Sequence, residues 1–149
     1  ELPCGRSNLI KGIKDTYLID SSYNASPKAM ETMLELLNQV GQREKRRKVA
    51  VLGDMRELGE RSKEEHRDLV DKAMESADWI VTVGPEMKRY FVPEAEKRGK
   101  EIKVDAFDTA AQAGEYLKEN LEGKEIILVK GSQNKIFLEI LVEMLMEDK

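Results

Sequence analysis

The chain has 149 residues, 40% hydrophobic and 36% charged, with 25 basic and 29 acidic side chains giving a net charge of −4. Such a balance suits one folded domain with a real core, excludes a disordered or membrane-spanning chain, and gives no electrostatic reason to expect nucleic acid or an anionic membrane surface. The single cysteine, Cys4, excludes an internal disulfide and fits a reducing compartment, and one cysteine with one histidine, His66, cannot build a His/Cys metal cluster. No apolar run reaches bilayer-spanning length and no signal peptide is visible. The first residue is Glu1 rather than Met, which predicts that the chain is part of something longer.

In chain order, residues 9–13 and 16–20 read as two strands joined through Lys14 and Asp15, a hairpin. Ser26 is a candidate N-cap and Pro27 suits a first helical turn. Met30, Met33, Leu34, Leu37 and Val40 then recur at helical spacing, and Gly41 is expected to end the pattern. Residues 43–48 form a basic run, read as a solvated loop before the apolar strand at 49–52. His66, Leu69, Val70, Ala73, Met74 and Ala77 make one helical stripe, on which His66 is expected to be a half-buried structural residue. A strand at 79–83 stops at Gly84-Pro85 and is followed by a short helix from about Met87 to Arg98. Residues 102–107 form a weaker strand, Asp108 or Thr109 caps a helix bearing Ala110, Ala113, Gly114, Leu117 and Leu121, and 126–129 is another strand. Ile136, Phe137, Ile140, Leu141, Met144 and Leu145 give the last helix. Strand runs that are apolar throughout need cover on both faces. The expected fold is therefore α/β: a doubly wound, mostly parallel, Rossmann-like sheet with an antiparallel hairpin at the N-terminus, in a single domain spanning 1–149.

Ligands of such sheets bind beyond the carboxyl ends of the strands. Those loops are 20–27, 53–62, 84–85, 108–109 and 130–134, and the unusual polar residues concentrate in the first, second and last. In Lys130-Gly131-Ser132 a glycine could let a ligand approach the backbone while lysine supplies a point charge; a strand-to-helix turn would need that glycine anyway. Neither G-x-G-x-x-G at the first strand–helix unit nor G-x-x-x-x-G-K-[ST] anywhere is present, so no P-loop cradles a triphosphate here. A Ser22, His66, Asp54 triad fails because His66 lies on an apolar helical stripe, and Asp54 reads as a cap or brace for its loop.

Asp20-Ser21-Ser22-Tyr23-Asn24-Ala25-Ser26-Pro27 resembles the D-D-S-Y-N-A-N-P segment of the Mur ligase family, in its D-alanyl-D-alanine-adding branch. Val51-Leu52-Gly53-Asp54-Met55-Arg56-Glu57-Leu58-Gly59-Glu60, with His66 downstream, is similar to the V-L-G-D-M-x-E-L-G segment of that branch. Leu128-Val129-Lys130-Gly131-Ser132 resembles its L-V-K-G-S-R segment, with Glu139 beyond, and Gly5-Arg6 resembles the G-R that opens the third domain.

The resemblance implies the C-terminal domain of a three-domain, ATP-dependent, amide-forming ligase in peptidoglycan synthesis, working in the cytoplasm. Its implied partners are the N-terminal and central domains of the parent ligase, which hold the UDP-N-acetylmuramoyl-tripeptide and most of the ATP and Mg2+ contacts, and the acceptor D-alanyl-D-alanine. No nucleic acid and no membrane insertion are implied. The precursor carboxylate becomes an acyl phosphate, which the acceptor amine attacks; this domain alone is expected to be inactive, with no catalytic residue and no metal ligand of its own. Arg6, Asp20, Tyr23 and Asn24 match nucleotide-facing positions, Arg6 because a guanidinium grips phosphate oxygens as a fork. Ser26, Lys130 and Ser132 match acceptor-facing ones. Ser21 stands where the family has a second acid, and Gln133 where it has arginine. Those departures suggest one alternative, a stand-alone binding module with a degenerate nucleotide site, against which the non-Met start counts; a sibling ligase with another amino acceptor is a second, against which the Gly53 to Gly59 segment counts.

Overall fold

A computed structural model of the chain describes residues 8–21, 26–55, 58–99, 102–131 and 138–147. Six strands form one sheet: β1 Asn8–Lys11, β2 Tyr17–Ser21, β3 Lys48–Gly53, β4 Trp79–Val83, β5 Lys103–Phe107 and β6 Ile126–Lys130. Their spatial order is β1-β2-β6-β3-β4-β5. Only the β1–β2 pair is antiparallel; every other neighbour is parallel. The helices are α1 Pro27–Glu44, α2 Ser62–Ser76, α3 Val92–Arg98, α4 Ala110–Asn120 and α5 Leu138–Leu145, with a π-helical stretch, Met87–Phe91, running directly into α3. The fold is the expected mostly parallel, helix-covered sheet with a hairpin at one edge.

Strand residues alternate between faces with period two, and the two cores follow that alternation. Ile19, Ala50, Leu52, Ile80, Ile126 and Leu128 pack beneath α1, α2 and α3. Leu18, Val49, Val51, Trp79, Val81, Ile127 and Val129 pack beneath α4 and α5. Each such side chain, removed from water, stabilises the fold by about 1.5–3 kcal/mol. The connections explain the split. Right-handed crossovers from β2 through β5 step one way along the sheet and leave α1, α2 and α3 on one face. The return from β5 to β6 steps back and leaves α4 on the other.

Local chemistry sets the helix starts. Ser26 accepts a bond from the Ala29 N–H (3.2 Å) with Pro27 in the first turn, and Thr109 accepts from Gln112 N–H (3.1 Å). Gly41 does not end α1. It lies inside the helix where the Lys48 side chain crosses, and the cap is Lys45, in the left-handed region at φ 56° with its N–H on the Gln42 and Gly41 carbonyls. The basic run is also less idle than a solvated loop. Arg46 donates to the backbone oxygens of Asp15 (2.8 Å) and Lys124 (2.9 Å) and covers the Tyr17 ring, tying the α1–β3 turn to the β1–β2 and α4–β6 turns.

Trp79 is fully buried, as its place between two amphipathic helices requires. Its indole N–H donates to Asp105 (2.9 Å), and the Tyr116 ring meets it edge-on. Its emission in the folded chain is therefore expected to be blue-shifted and protected from iodide, with exposure appearing only on unfolding. Iodide quenching of the native chain as strong as that of free tryptophan would contradict the packing of β4.

Candidate functional site

The strands β2, β6, β3, β4 and β5 all end on one edge of the sheet, at Ser21, Lys130, Gly53, Val83 and Phe107. Registers fix their neighbours there: Ser21 pairs with Lys130, Lys130 with Leu52, and Gly53 with Val83. The loops singled out in the sequence thus leave the sheet side by side.

At the β2–β6 end the Lys130 ammonium donates to the Ser21 hydroxyl (2.8 Å), and both residues are 3% exposed. The contact follows from the pleat: Ser21 shares a face with Ile19, Lys130 with Leu128, and both lie on the α1 side. A buried ammonium needs such acceptors because desolvating it without them is costly. Ser21, which stands where the family has a second acid, turns its hydroxyl to the lysine, inside the protein. Asp20, one residue earlier, falls on the opposite face, opposite Val129 in register, and is half-buried. Asp20 and Lys130 therefore reach the same edge from different sides of the sheet.

Ser26 is exposed and its hydroxyl caps α1. Arg6, Tyr23, Asn24 and Ser132 lie outside the described residues, as do Ser22 and Gln133. Gly131 is explained by packing: a side chain there would run into Leu138 and come within 3.1 Å of the Gly53 backbone. The protein itself fills the space beside this residue, so packing accounts for the glycine.

Beyond β3 a second polar cluster adjoins the first. Asp54, 5% exposed, accepts bonds from the N–H groups of Met87 (2.8 Å) and Glu86 (3.1 Å), which open the helix after β4. Burial pushes its carboxyl above the usual range, and the two N–H donors oppose that shift. The Asp54 carboxylate lies 2.6 Å from where a Cβ on Gly84 would be, and Gly84 has φ +117°, so this turn admits only glycine without strain. His66 is fully buried rather than half-buried: its Nε2 accepts from the Met55 N–H (3.0 Å), and Nδ1 lies 2.7 Å from the Ser62 carbonyl oxygen. The Ser62 hydroxyl donates to Glu86 (2.6 Å). Asp54 was expected to cap or brace its own loop; its carboxylate instead braces the start of the helix after β4. A cleft of about 380 Å³ opens here, lined by Met55, Leu58, Gly59 and Pro85 with Asp54, Ser62 and Glu86. Another, of about 410 Å³ between α1 and α2, holds none of the site residues.

Sequence reading missed the Ser21–Lys130 contact and the participation of Ser62 and Glu86. The first had a signal: both polar residues end apolar strands, at the position where a strand leaves the sheet. The second had none, because the pairing of the α2 and α3 starts is set by tertiary packing. Substituting Ser21→Ala removes one acceptor from a buried ammonium and is expected to lower stability by about 1–3 kcal/mol. Urea unfolding of the two proteins measures it, and equal midpoints would show that the bond contributes nothing.

Comparison with known proteins places this geometry. The model of the Mur ligase, glutamate ligase domain matches residues 5–133. The UDP-N-acetylmuramoyl-tripeptide--D-alanyl-D-alanine ligase of Treponema pallidum is 33% identical over 148 residues, covering 99% of this chain and 31% of the relative. Among solved structures, MurF from Acinetobacter baumannii superposes with a TM-score of 0.77 at 31% identity, over 99% of this chain and 31% of that one. The MurF ligase from Thermotoga maritima in complex with ADP gives 0.70 at 29% identity, over 97% and 31%. The chain thus spans about a third of the length of the relatives it matches. It belongs to the Mur ligase family, as its glutamate ligase domain.

Proposed function

We propose that the chain is the closing domain of an ATP-dependent ligase that joins D-alanyl-D-alanine to UDP-N-acetylmuramoyl-tripeptide, and that it carries no activity alone. The observation that supports this most is whole-chain similarity, near one-third identity, to ligases with those substrates in their names. The site supports it as well, since the family's three polar segments belong to loops on one sheet edge.

In this reading the crevice at the carboxyl edge closes over nucleotide and acceptor. Asp20 meets the nucleotide from the α4–α5 side of β2, and Arg6, Tyr23 and Asn24 are assigned to the nucleotide by the family resemblance. Lys130 lies in the floor of the crevice, with Ser26 and Ser132 near the acceptor. A cation at the β2–β6 end suits the carboxylate of D-alanyl-D-alanine and acts more strongly there than in water. The described residues do not fit a magnesium site, since no three His, Cys, Asp or Glu side chains converge among them. What this domain contributes is position: it brings the acceptor amine to a carboxylate activated elsewhere, and excludes water from it.

The purified chain is expected to hydrolyse no ATP, because phosphoryl transfer depends on groups around the β- and γ-phosphates that it lacks. In the complete ligase, Lys130→Met is expected to raise KM for D-alanyl-D-alanine about ten- to a hundredfold, the range for removing a charge-assisted contact. ATP turnover by the chain alone, abolished by a substitution within it, would overturn the reading. An unchanged acceptor KM would remove Lys130 from the site.

A further inference from the structure

The segment leaving β3 is fastened at two successive residues, to two different helices. Asp54 reaches across to the helix after β4 through the Glu86 and Met87 N–H groups (3.1 and 2.8 Å). Met55 gives its own N–H to His66 on α2 (3.0 Å), in a bond that is fully buried. The partners of the imidazole fix its form. Nδ1 lies 2.7 Å from the Ser62 carbonyl oxygen, which can only accept, so Nδ1 carries the hydrogen. Nε2 is then a bare acceptor, as the Met55 N–H requires. The Ser62 hydroxyl, 3.2 Å from Nδ1, spends its hydrogen on Glu86 and closes the circuit between α2 and the helix after β4.

We propose that His66, as the neutral Nδ1–H tautomer, is a positioning residue that latches the exit of β3 to α2 and so fixes the β3 wall of the crevice. Met55 is 2% exposed, and without an acceptor at Nε2 its N–H would be buried with no bond. Since β3 is one of the two central strands, its exit direction sets the wall of the cleft lined by Asp54, Met55, Leu58 and Glu86. The latch itself stands on this geometry, whereas its effect on an acceptor rests on the ligase reading.

Two substitutions separate packing from latching. His66→Phe keeps an aromatic ring and removes the acceptor; His66→Gln offers an amide oxygen near the Nε2 position and an N–H2 toward Ser62. Nitrogen-15 spectra of the wild-type chain are expected to show a protonated Nδ1 and a bare Nε2. Amide exchange at Met55 is expected to be at least about tenfold faster in the phenylalanine variant and near the wild-type rate in the glutamine one. In the complete ligase, His66→Phe should raise KM for D-alanyl-D-alanine roughly tenfold with kcat within about twofold, and His66→Gln should restore most of it. A proton on Nε2 in the wild type overturns the latch, a result that needs no variant to fold. Loss of kcat with acceptor KM unchanged, or no rescue by glutamine, makes His66 a packing residue only and overturns the positioning role. An inactive wild-type ligase overturns the ligase reading instead, and is recognised by the wild type itself failing.

Discussion

The two central strands, β3 and β6, are covered by helices on both faces, so a polar side chain along them has no water on either side. Val49, Ala50, Val51 and Leu52 on one strand and Ile126 to Val129 on the other are fully buried or nearly so. Polarity can enter only at the ends of the strands, as Lys48 and Glu125 do where β3 and β6 begin and as further groups do where they leave the sheet. There it appears at once, as Lys130 on β6 and as Asp54 directly after β3. The same constraint holds at β2, where Leu18 and Ile19 are fully buried and Asp20 and Ser21 follow. A parallel sheet puts all these exits on one edge, so the polar groups that follow three strands gather there, while Thr16 and Glu125 are buried where β2 and β6 begin.

Concentration brings its own demands. Buried polar groups must satisfy one another, and the structure divides them into two adjoining sets. Lys130 and Ser21 form one, on the α1 side of the sheet. Asp54, Glu86, Ser62, His66 and the Met55 N–H form the other, between β3, α2 and the helix after β4. The glycines at this edge answer the same crowding. Gly131 makes room for Leu138 and the Gly53 backbone, and Gly84 makes room for the Asp54 carboxylate. Both sets stiffen the crevice wall, which is the property a domain needs when its contribution is to hold an acceptor in line.

The sheet was legible in the sequence because apolar runs and helical stripes leave little choice of architecture. Ser26 and Thr109 could be read as caps from their place before a stripe. Gly41 misled, because a glycine at the end of a periodic stretch resembles a C-cap when it is in fact making room for Lys48 from another element. His66 was underestimated for a related reason: one polar residue in a stripe suggests an edge of the core, and only the partners on β3's exit and on α2 allow it to be buried completely. The faces of Asp20 and Ser21 follow from alternation alone. That Ser21 meets Lys130 depends on β2 and β6 being neighbours, which is a matter of strand order and not of local sequence. Of the candidate ligand contacts, Arg6, Tyr23, Asn24 and Ser132 lie outside the described residues, so their part rests on the family resemblance.

The chemistry assigned to this edge is most directly tested by identifying the product. The complete ligase carrying this domain would be given ATP, UDP-N-acetylmuramoyl-tripeptide and an equimolar mixture of D-alanyl-D-alanine, D-glutamate and L-lysine, with the products resolved by mass. The account predicts one new amide, to D-alanyl-D-alanine, formed with stoichiometric release of phosphate. An amide to either of the other acceptors in preference, or phosphate release with no amide, would contradict it.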